Sequence, residues 1–295
     1  MTTAKHKPLT ELDHIEHGLT FAEYRELPGV NYHSLRDFCE NPRLWHEGWF
    51  DRRPETPAIK LGTQIHTLLL QGSSAFWTRY ARFDPPVNPK TENPYGPETK
   101  TYKEALLEWH REHPGTEPVP PETVETLSRI LNETRRNPVL GEILRSPDAD
   151  GAHSEVIFRG PLEGVPQLVL KGAIDRYDDQ IGIIDLKTTS SLDDRFWRYT
   201  IHDREYIDQL AFYQIAAHDV CRSAGYPDAY IAAVETGGMF RSAAALIDPR
   251  IMDRARAHVL DLLARFSRSV QKGDYPDPGD TLRVIKFYRG DAPED

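Results

Sequence analysis

Between residues 154 and 189 the chain carries three runs, SEVIFRG, QLVLKGAID and IGIIDLKTT, with only short polar segments between them. Each run alternates or clusters β-branched and apolar residues, the pattern of a strand that buries at least one face. Asp178-Asp179-Gln180 separates the second from the third and predicts a hairpin turn. A helix is expected over residues 206–220 (YIDQLAFYQIAAHDV), then strands at 230–235 and 243–247 and a closing helix over about 250–270. Three consecutive strands followed by a helix and two more strands confine this half to an α/β sheet domain.

The first half reads as helical. Residues 31–50 carry Leu35, Phe38, Trp45 and Trp49 around an Asn41-Pro42 break, which predicts two short helices with the proline in the first turn of the second. In LGTQIHTLLLQG, Leu61, Ile65, Leu68 and Leu69 share one helical stripe, and Gly72 is a plausible stop. Helices are also expected at 102–112 and 121–136. The segment 84–100 (DPPVNPKTENPYGPETK) is the most proline-rich stretch and reads as a long surface loop. Residues 1–26 are polar and weakly patterned, an N-terminal arm or loosely attached lead-in, which leaves 27–290 as one domain.

The 295 residues, 39% of them hydrophobic, suffice for a sizeable core. The formal net charge of −10 counts against sequence-specific duplex binding, but a local basic channel can sit inside an acidic envelope. Cys39 and Cys221 are the two cysteines, which excludes a four-cysteine zinc or iron–sulfur site made by this chain and gives no disulfide framework. The N-terminus lacks the apolar core of a signal peptide, and no apolar run reaches transmembrane length. A cytoplasmic protein without membrane contact is the expectation.

Strand periodicity singles out the chemistry. In IGIIDLK, Ile181, Ile183, Asp185 and Lys187 point to one face, and Gly182, Ile184 and Leu186 to the other. The preceding strand ends in Asp175, which a hairpin would bring towards Asp185. Two adjacent carboxylates repel and call for a compensating cation, which a divalent metal with oxygen ligands supplies. A metal that polarises a phosphate and a lysine that stabilises developing charge suit phosphodiester hydrolysis. The alternative is an ordinary surface ion pair at a strand end, worth little. His66 lies just off the Leu61/Ile65/Leu69 stripe with Gly62 one turn earlier; such a histidine is either a hydrogen-bonded core residue or a ligand. Gln209 and Tyr213 share one helix face, for packing or for holding a phosphate, a base or the surroundings of a metal.

GAID, IIDLKTT and QLAFY, in that order, resemble the PD-(D/E)XK nuclease superfamily, in the branch with a QxxxY helix after the catalytic strand. LGTQIHTLL resembles that branch's upstream histidine motif and NYHSLRDFCENPRLW its N-terminal helix pair; the segments ETKTYKEALLEW and ETVETLSRILNETRRNPVLGEIL resemble its middle helices. The match is best with the nuclease domains typified by exodeoxyribonuclease VIII and related phage exonucleases, over residues 27–245 or so. The resemblance implies a mixed central sheet flanked by helices, with His66, Asp175, Asp185 and the Leu186 carbonyl as metal ligands and Lys187 as the catalytic lysine. Gln209 and Tyr213 would be the QxxxY pair, and Glu155 stands where that family often has a further acid. Asp185 replaces the glutamate of many members, a change also found in this branch. Magnesium, with manganese able to substitute, is the implied cofactor, without an iron–sulfur cluster. The implied substrate is linear duplex DNA, resected 5′ to 3′ in recombination, with a single-strand annealing partner and a homo-oligomeric, tetrameric ring. Arg36, Arg43, Lys90, Lys100 and Lys103 are candidate phosphate contacts, or else ordinary solvated charges. Two other functions fit the same residues: an endonuclease or single-strand nuclease in repair or phage defence, and an inactive DNA-end-binding scaffold, against which the intact Asp, Asp, Lys and His set argues.

Overall fold

A computed structural model of the chain describes residues 8–17, 19, 21–50, 54, 56–144 and 151–280. The expected extension of the domain over 281–290 and the first seven residues of the lead-in lie outside them. The helical first half comprises β1 (Ile15–Glu16), α1 (Phe21–Glu26), α2 (Tyr32–Glu40), α3 (Pro42–His46), α4 (Pro57–His66), α5 (Gly72–Arg79), β2 (Tyr80–Arg82), α6 (Lys100–Glu112), β3 (Glu117–Val119), α7 (Pro121–Arg136) and α8 (Pro138–Ile143). The second half comprises β4 (Ala152–Leu162), β5 (Val165–Asp178), β6 (Gly182–Thr189), α9 (Ile201–Asp203), α10 (Tyr206–Ile215), β7 (Ala229–Glu235), β8 (Ser242–Leu246) and α11 (Pro249–Lys272).

Local chemistry sets the breaks. Asn31 caps α2 by accepting from the Ser34 N–H at 2.8 Å, and Asn41, at the end of α2, caps α3 through the Leu44 N–H at 3.1 Å. Pro42 then occupies the first turn, where a missing N–H costs nothing. The expected stripe after Leu61 forms α4 and widens into a π-helical turn at Thr67–Gln71, and Gly72, with φ +89°, breaks the axis before α5. Asp178 makes the hairpin turn by accepting from the N–H groups of Gln180 and Ile181 at 2.9 and 3.1 Å.

Among the described residues, six strands form one sheet in the order β1-β4-β5-β6-β7-β8, and β2 and β3 form a parallel pair of their own. In the large sheet only β6 and β7 are parallel, so the chain must cross over between them, and it does so through α9 and α10. Helices cover both faces. Ile183 packs with Phe38 of α2, Phe212 of α10 and Phe266 of α11; Ile184 and Leu186 pack on the other side with Ile65, Ile130 and Leu140 from α4, α7 and α8. This is the mixed, helix-flanked sheet expected from the sequence. Ile181 departs from the expected alternation and packs on the same side as Ile184, because it precedes the strand and Gly182, at φ +119°, turns the chain at the strand's first residue.

The lead-in is tied down where it is described. Leu9 is buried, and Ile15 and Glu16 pair with Phe158 and Ile157 at the sheet edge. The apolar residues Leu9, Leu12 and Ile15 reach the main core from an otherwise polar segment, which the weak sequence pattern did not predict. The buried Lys171 ammonium fastens α1 by donating to the carbonyls of Arg25 and Leu27 at 2.9 and 2.6 Å. Among the described residues no helix is long and apolar enough to cross a membrane.

Candidate active site

The β5–β6 ladder is short. Its pairs are Asp178↔Gly182, Tyr177↔Ile183 and Arg176↔Ile184, and there it stops. One step further Asp175 stands opposite Asp185, and the Asp175 carboxylate takes over the role of a ladder acceptor: its Oδ2 accepts from the Leu186 N–H at 2.8 Å. In a strand the N–H and C=O of one residue point the same way. The Ile183 N–H and the Thr189 carbonyl bond on the β7 side, to Asp228 and Thr236, so the even-numbered Leu186 turns its carbonyl into the opening beside Asp175.

The opening extends to β4. Ser154 pairs with Arg176 and Val156 with Ile174, so Glu155 stands opposite Asp175, but the pair between them is skipped. Glu155 has φ +51°, a left-handed conformation that costs a side-chain-bearing residue of order 1–3 kcal/mol. Three acids, Glu155, Asp175 and Asp185, thus form a row across three adjacent strands where the sheet has been pried apart. Glu155 bonds Gln71, and the protein atoms crowded round its carboxyl, more than the nearby Asp175, lift its pKa although the residue keeps access to solvent.

Basic side chains flank the row on either side. His66, at the end of α4, brings Nδ1 to 3.6 Å from Asp175 Oδ1. Gly62, one turn earlier, faces β6: a β-carbon there would make an ordinary contact with Thr188 Oγ1 at 3.4 Å. On the far side Lys187 Nζ lies 2.6 Å from Asp185 Oδ2 and donates to Gln209 Oε1 at 2.7 Å. The Gln209 amide in turn donates to the Tyr213 hydroxyl at 3.0 Å. Gln209 and Tyr213, four residues apart on α10, therefore act as one unit behind the lysine. Gly172 lets Tyr213 in, since a β-carbon there would strike the Phe158 ring at 2.5 Å and meet Tyr213 at 3.3 Å. Sequence reasoning missed Tyr206, whose ring lies 4.5 Å beneath the Lys187 ammonium; its place three residues before Gln209, on the same face of α10, was the available signal.

Burial and charge then set protonation. Burial raises the pKa of Asp185 to about 6, against the pull of Lys187. Burial works the same way on Asp175, but the His66 imidazole, Lys187 and the Leu186 N–H together hold it below the ordinary carboxylate value. His66 is raised: burial opposes its charge and Asp175 overrides that. Lys187 likewise loses by burial and gains more from Asp185 and Asp175, so it stays an ammonium.

Two carboxylates, an imidazole and a backbone carbonyl are oxygen-rich donors of the kind a hard divalent cation takes. The chemistry of the donor set supports that fit: Asp185 is buried with Lys187 2.6 Å from its Oδ2 as compensating cation, and burial still raises its pKa, so the site under-neutralises its carboxylates. The cage is not closed. Among the described residues no group of three or more His, Cys, Asp or Glu converges tightly enough to hold a metal ion, since Asp185 is turned to Lys187. Of the five candidate phosphate contacts, Arg36 leans on Asp37 at 3.4 Å, and Arg43 is held by Asp280 and, at 3.8 Å, by Asp277. Lys100 and Lys103 make exposed pairs with Glu104 and Glu98 at 3.6 and 3.1 Å, and Lys90 is exposed in the proline-rich loop. Such exposed pairs are weak enough for a phosphate to replace the carboxylate.

Residues 40–286 match the sequence model of a family described as a PDDEXK-like domain of unknown function (DUF3799). Among solved structures, a protein of Eubacterium rectale provisionally named an exonuclease superimposes with a TM-score of 0.58 at 14% identity, over 92% of this chain and 96% of that one. That likeness concerns the fold. No curated protein sequence matches the chain.

Proposed function

From the chain's membership of this PDDEXK-like family, which fixes its nuclease fold, we infer a divalent-metal-dependent deoxyribonuclease acting on the ends of linear duplex DNA. The observation that carries this reading is the buried Asp185–Lys187 contact, set against Asp175 and His66 where the sheet opens. Asp175, Asp185, His66 and the Leu186 carbonyl would hold the cation, whose positive charge polarises the scissile phosphate and acidifies water. Lys187, kept as an ammonium, gives one N–H to Gln209, lies against Asp185, and retains donor capacity for an oxygen of the reacting phosphate. Gln209 and Tyr213 fix the direction of that ammonium, and Tyr206 supports it from below. Glu155, in the same row of acids, serves to position water or the cation's surroundings.

The 5′-to-3′ direction, a role in recombination, magnesium with manganese as substitute, a ring-shaped homotetramer and an annealing partner extend this reading from the family resemblance in the sequence. The test is digestion of end-labelled linear duplex beside a covalently closed circle, with Mg²⁺ or EDTA, by wild type and Lys187→Ala. The expected outcome is loss of the linear duplex alone, only with metal and only by wild type. Cutting of the circle turns the reading to an endonuclease. No digestion of either, with wild type and Asp185→Ala indistinguishable, leaves a DNA-binding scaffold.

A further inference from the structure

A cavity of about 420 Å³ opens between α2, α3 and the turn that follows them, a volume typical of small-ligand sites. None of the three acids lines it, but α2 reaches α10 beside them: Tyr32, next to His33, donates its hydroxyl to Glu205 Oε2 at 3.1 Å, one residue before the Tyr206 ring that underlies Lys187. His33 is accessible to solvent although protein atoms crowd it, as a side chain at the lip of a concavity is.

One side of the wall is aromatic and preformed. Trp45 donates its indole N–H to Ser34 Oγ at 2.8 Å and packs edge-on against Phe38 and Phe266, with ring centres 5.7 and 5.1 Å away. Phe50 forms part of the same lining, and His46 extends it as a ring stacked on Tyr275 at 4.1 Å. No lysine or arginine is among the lining residues, whereas the Asp37 carboxylate is. Burial, then Arg36 and Lys187, lower the His33 pKa to about 4, so the imidazole is neutral at pH 7. A free phosphate would meet the Asp37 carboxylate, and the cation beside it, Arg36 at 3.4 Å, is already paired with that carboxylate and lies outside the lining. A flat, uncharged ring with N–H donors on its edge meets aromatic walls and an acceptor.

We propose that this cavity receives the unstacked base of the terminal nucleotide of a DNA strand whose scissile phosphate lies at Lys187, with Trp45 and Phe50 bordering the ring and Asp37 accepting from its amino edge. Stacking on aromatic side chains is tolerant of sequence, and a carboxylate favours bases that carry an exocyclic amino group. Thymine, with a single N–H between two carbonyls, is the poorest match. The proposal rests on the nuclease reading above, and it predicts that ends which fray are engaged before ends held in the stack.

The experiment compares single-turnover release of the first nucleotide from two duplexes, one with intact ends and one with an abasic terminal nucleotide, each terminus tested in turn. Wild type is expected to half-saturate at roughly five- to a hundredfold lower concentration on the intact end. Phe50→Ala should abolish that difference and Asp37→Asn should reduce the preference for amino-bearing terminal bases, both with the limiting rate on abasic ends unchanged. Trp45 is left alone because its packing on Phe38 and Phe266 makes misfolding the expected result of its loss. Equal handling of the two ends by wild type, or selectivity that survives in both variants, overturns the proposal. If wild type digests neither duplex with Mg²⁺ or Mn²⁺, the nuclease reading falls. Terminal 2-aminopurine fluorescence then judges the cavity alone: no Phe50-dependent change on mixing overturns it.

Discussion

The Lys187 ammonium sits between a carboxylate at 2.6 Å and an amide oxygen at 2.7 Å, over a tyrosine ring, so its position is set by three side chains. Replacing it with methionine keeps most of the volume and removes the charge. We expect Lys187→Met to lower the cleavage rate by about 10²–10⁴-fold while DNA affinity changes little, as single-turnover kinetics beside binding titrations would show. Asp185 gives the pH dependence. Its pKa in the folded chain, about 6, exceeds the ordinary value of 3.8, so between those values the folded state binds the extra proton. Its contribution to stability is therefore fully present below pH 3.8 and is lost as pH rises through about 6. A cation must displace that same proton, so the apparent Mn²⁺ affinity should weaken by up to about tenfold per pH unit below 6, on top of the proton that His66, raised above 6.5 by Asp175, must also lose to become a ligand. Calorimetric titration between pH 5 and 8 measures this, and a flat profile would remove Asp185 from the ligand set.

At the scale of elements, the site exists because Asp175 is unpaired on both sides of β5: the ladder to β6 ends before it and the ladder to β4 skips it. The left-handed turn at Glu155 is the visible strain of that opening. Two substitutions separate strain from charge. Glu155→Gln keeps the backbone penalty and removes the carboxylate; Glu155→Gly removes both. Glycine should therefore be the more stable of the two by about 1 kcal/mol in urea unfolding, while both lose activity. If glutamine unfolds last, the left-handed conformation is not a strained one. The order of elements is legible in the sequence: the Asn41-Pro42 break, helix 121–136 and the hairpin through Asp178 all form where expected. These depend on capping, proline geometry and period, which are properties of neighbours along the chain.

Over the whole molecule, a net charge of −10 must be reconciled with a polyanionic substrate. Lys90 and Lys100 stand on or next to the proline-rich loop, exposed and at most weakly paired. If they touch phosphates, Lys90→Ala and Lys100→Ala should each reduce the slope of log affinity against log salt by about 0.9; an unchanged slope sinks the loop as a DNA contact. Arg43 is the poorer candidate, since Asp277 and Asp280 from beyond α11 already neutralise it.

Asp185 and Lys187 share a face because a strand alternates with period two, and Gln209 and Tyr213 share one because a helix repeats near 3.6; both facts are written in the sequence. So were the candidates His66 and Asp175, though not their arrangement. That Asp175 bonds the Leu186 N–H, that Glu155 is bent out of the ladder opposite it, that Tyr206 underlies the lysine and that Trp45 walls a cavity near the acids were decided only by the tertiary structure. Periodicity fixes where a side chain points along its own element. Which residue faces which across elements depends on register, on where a ladder opens and on how helices seat on the sheet, and those follow from packing between segments far apart in the chain.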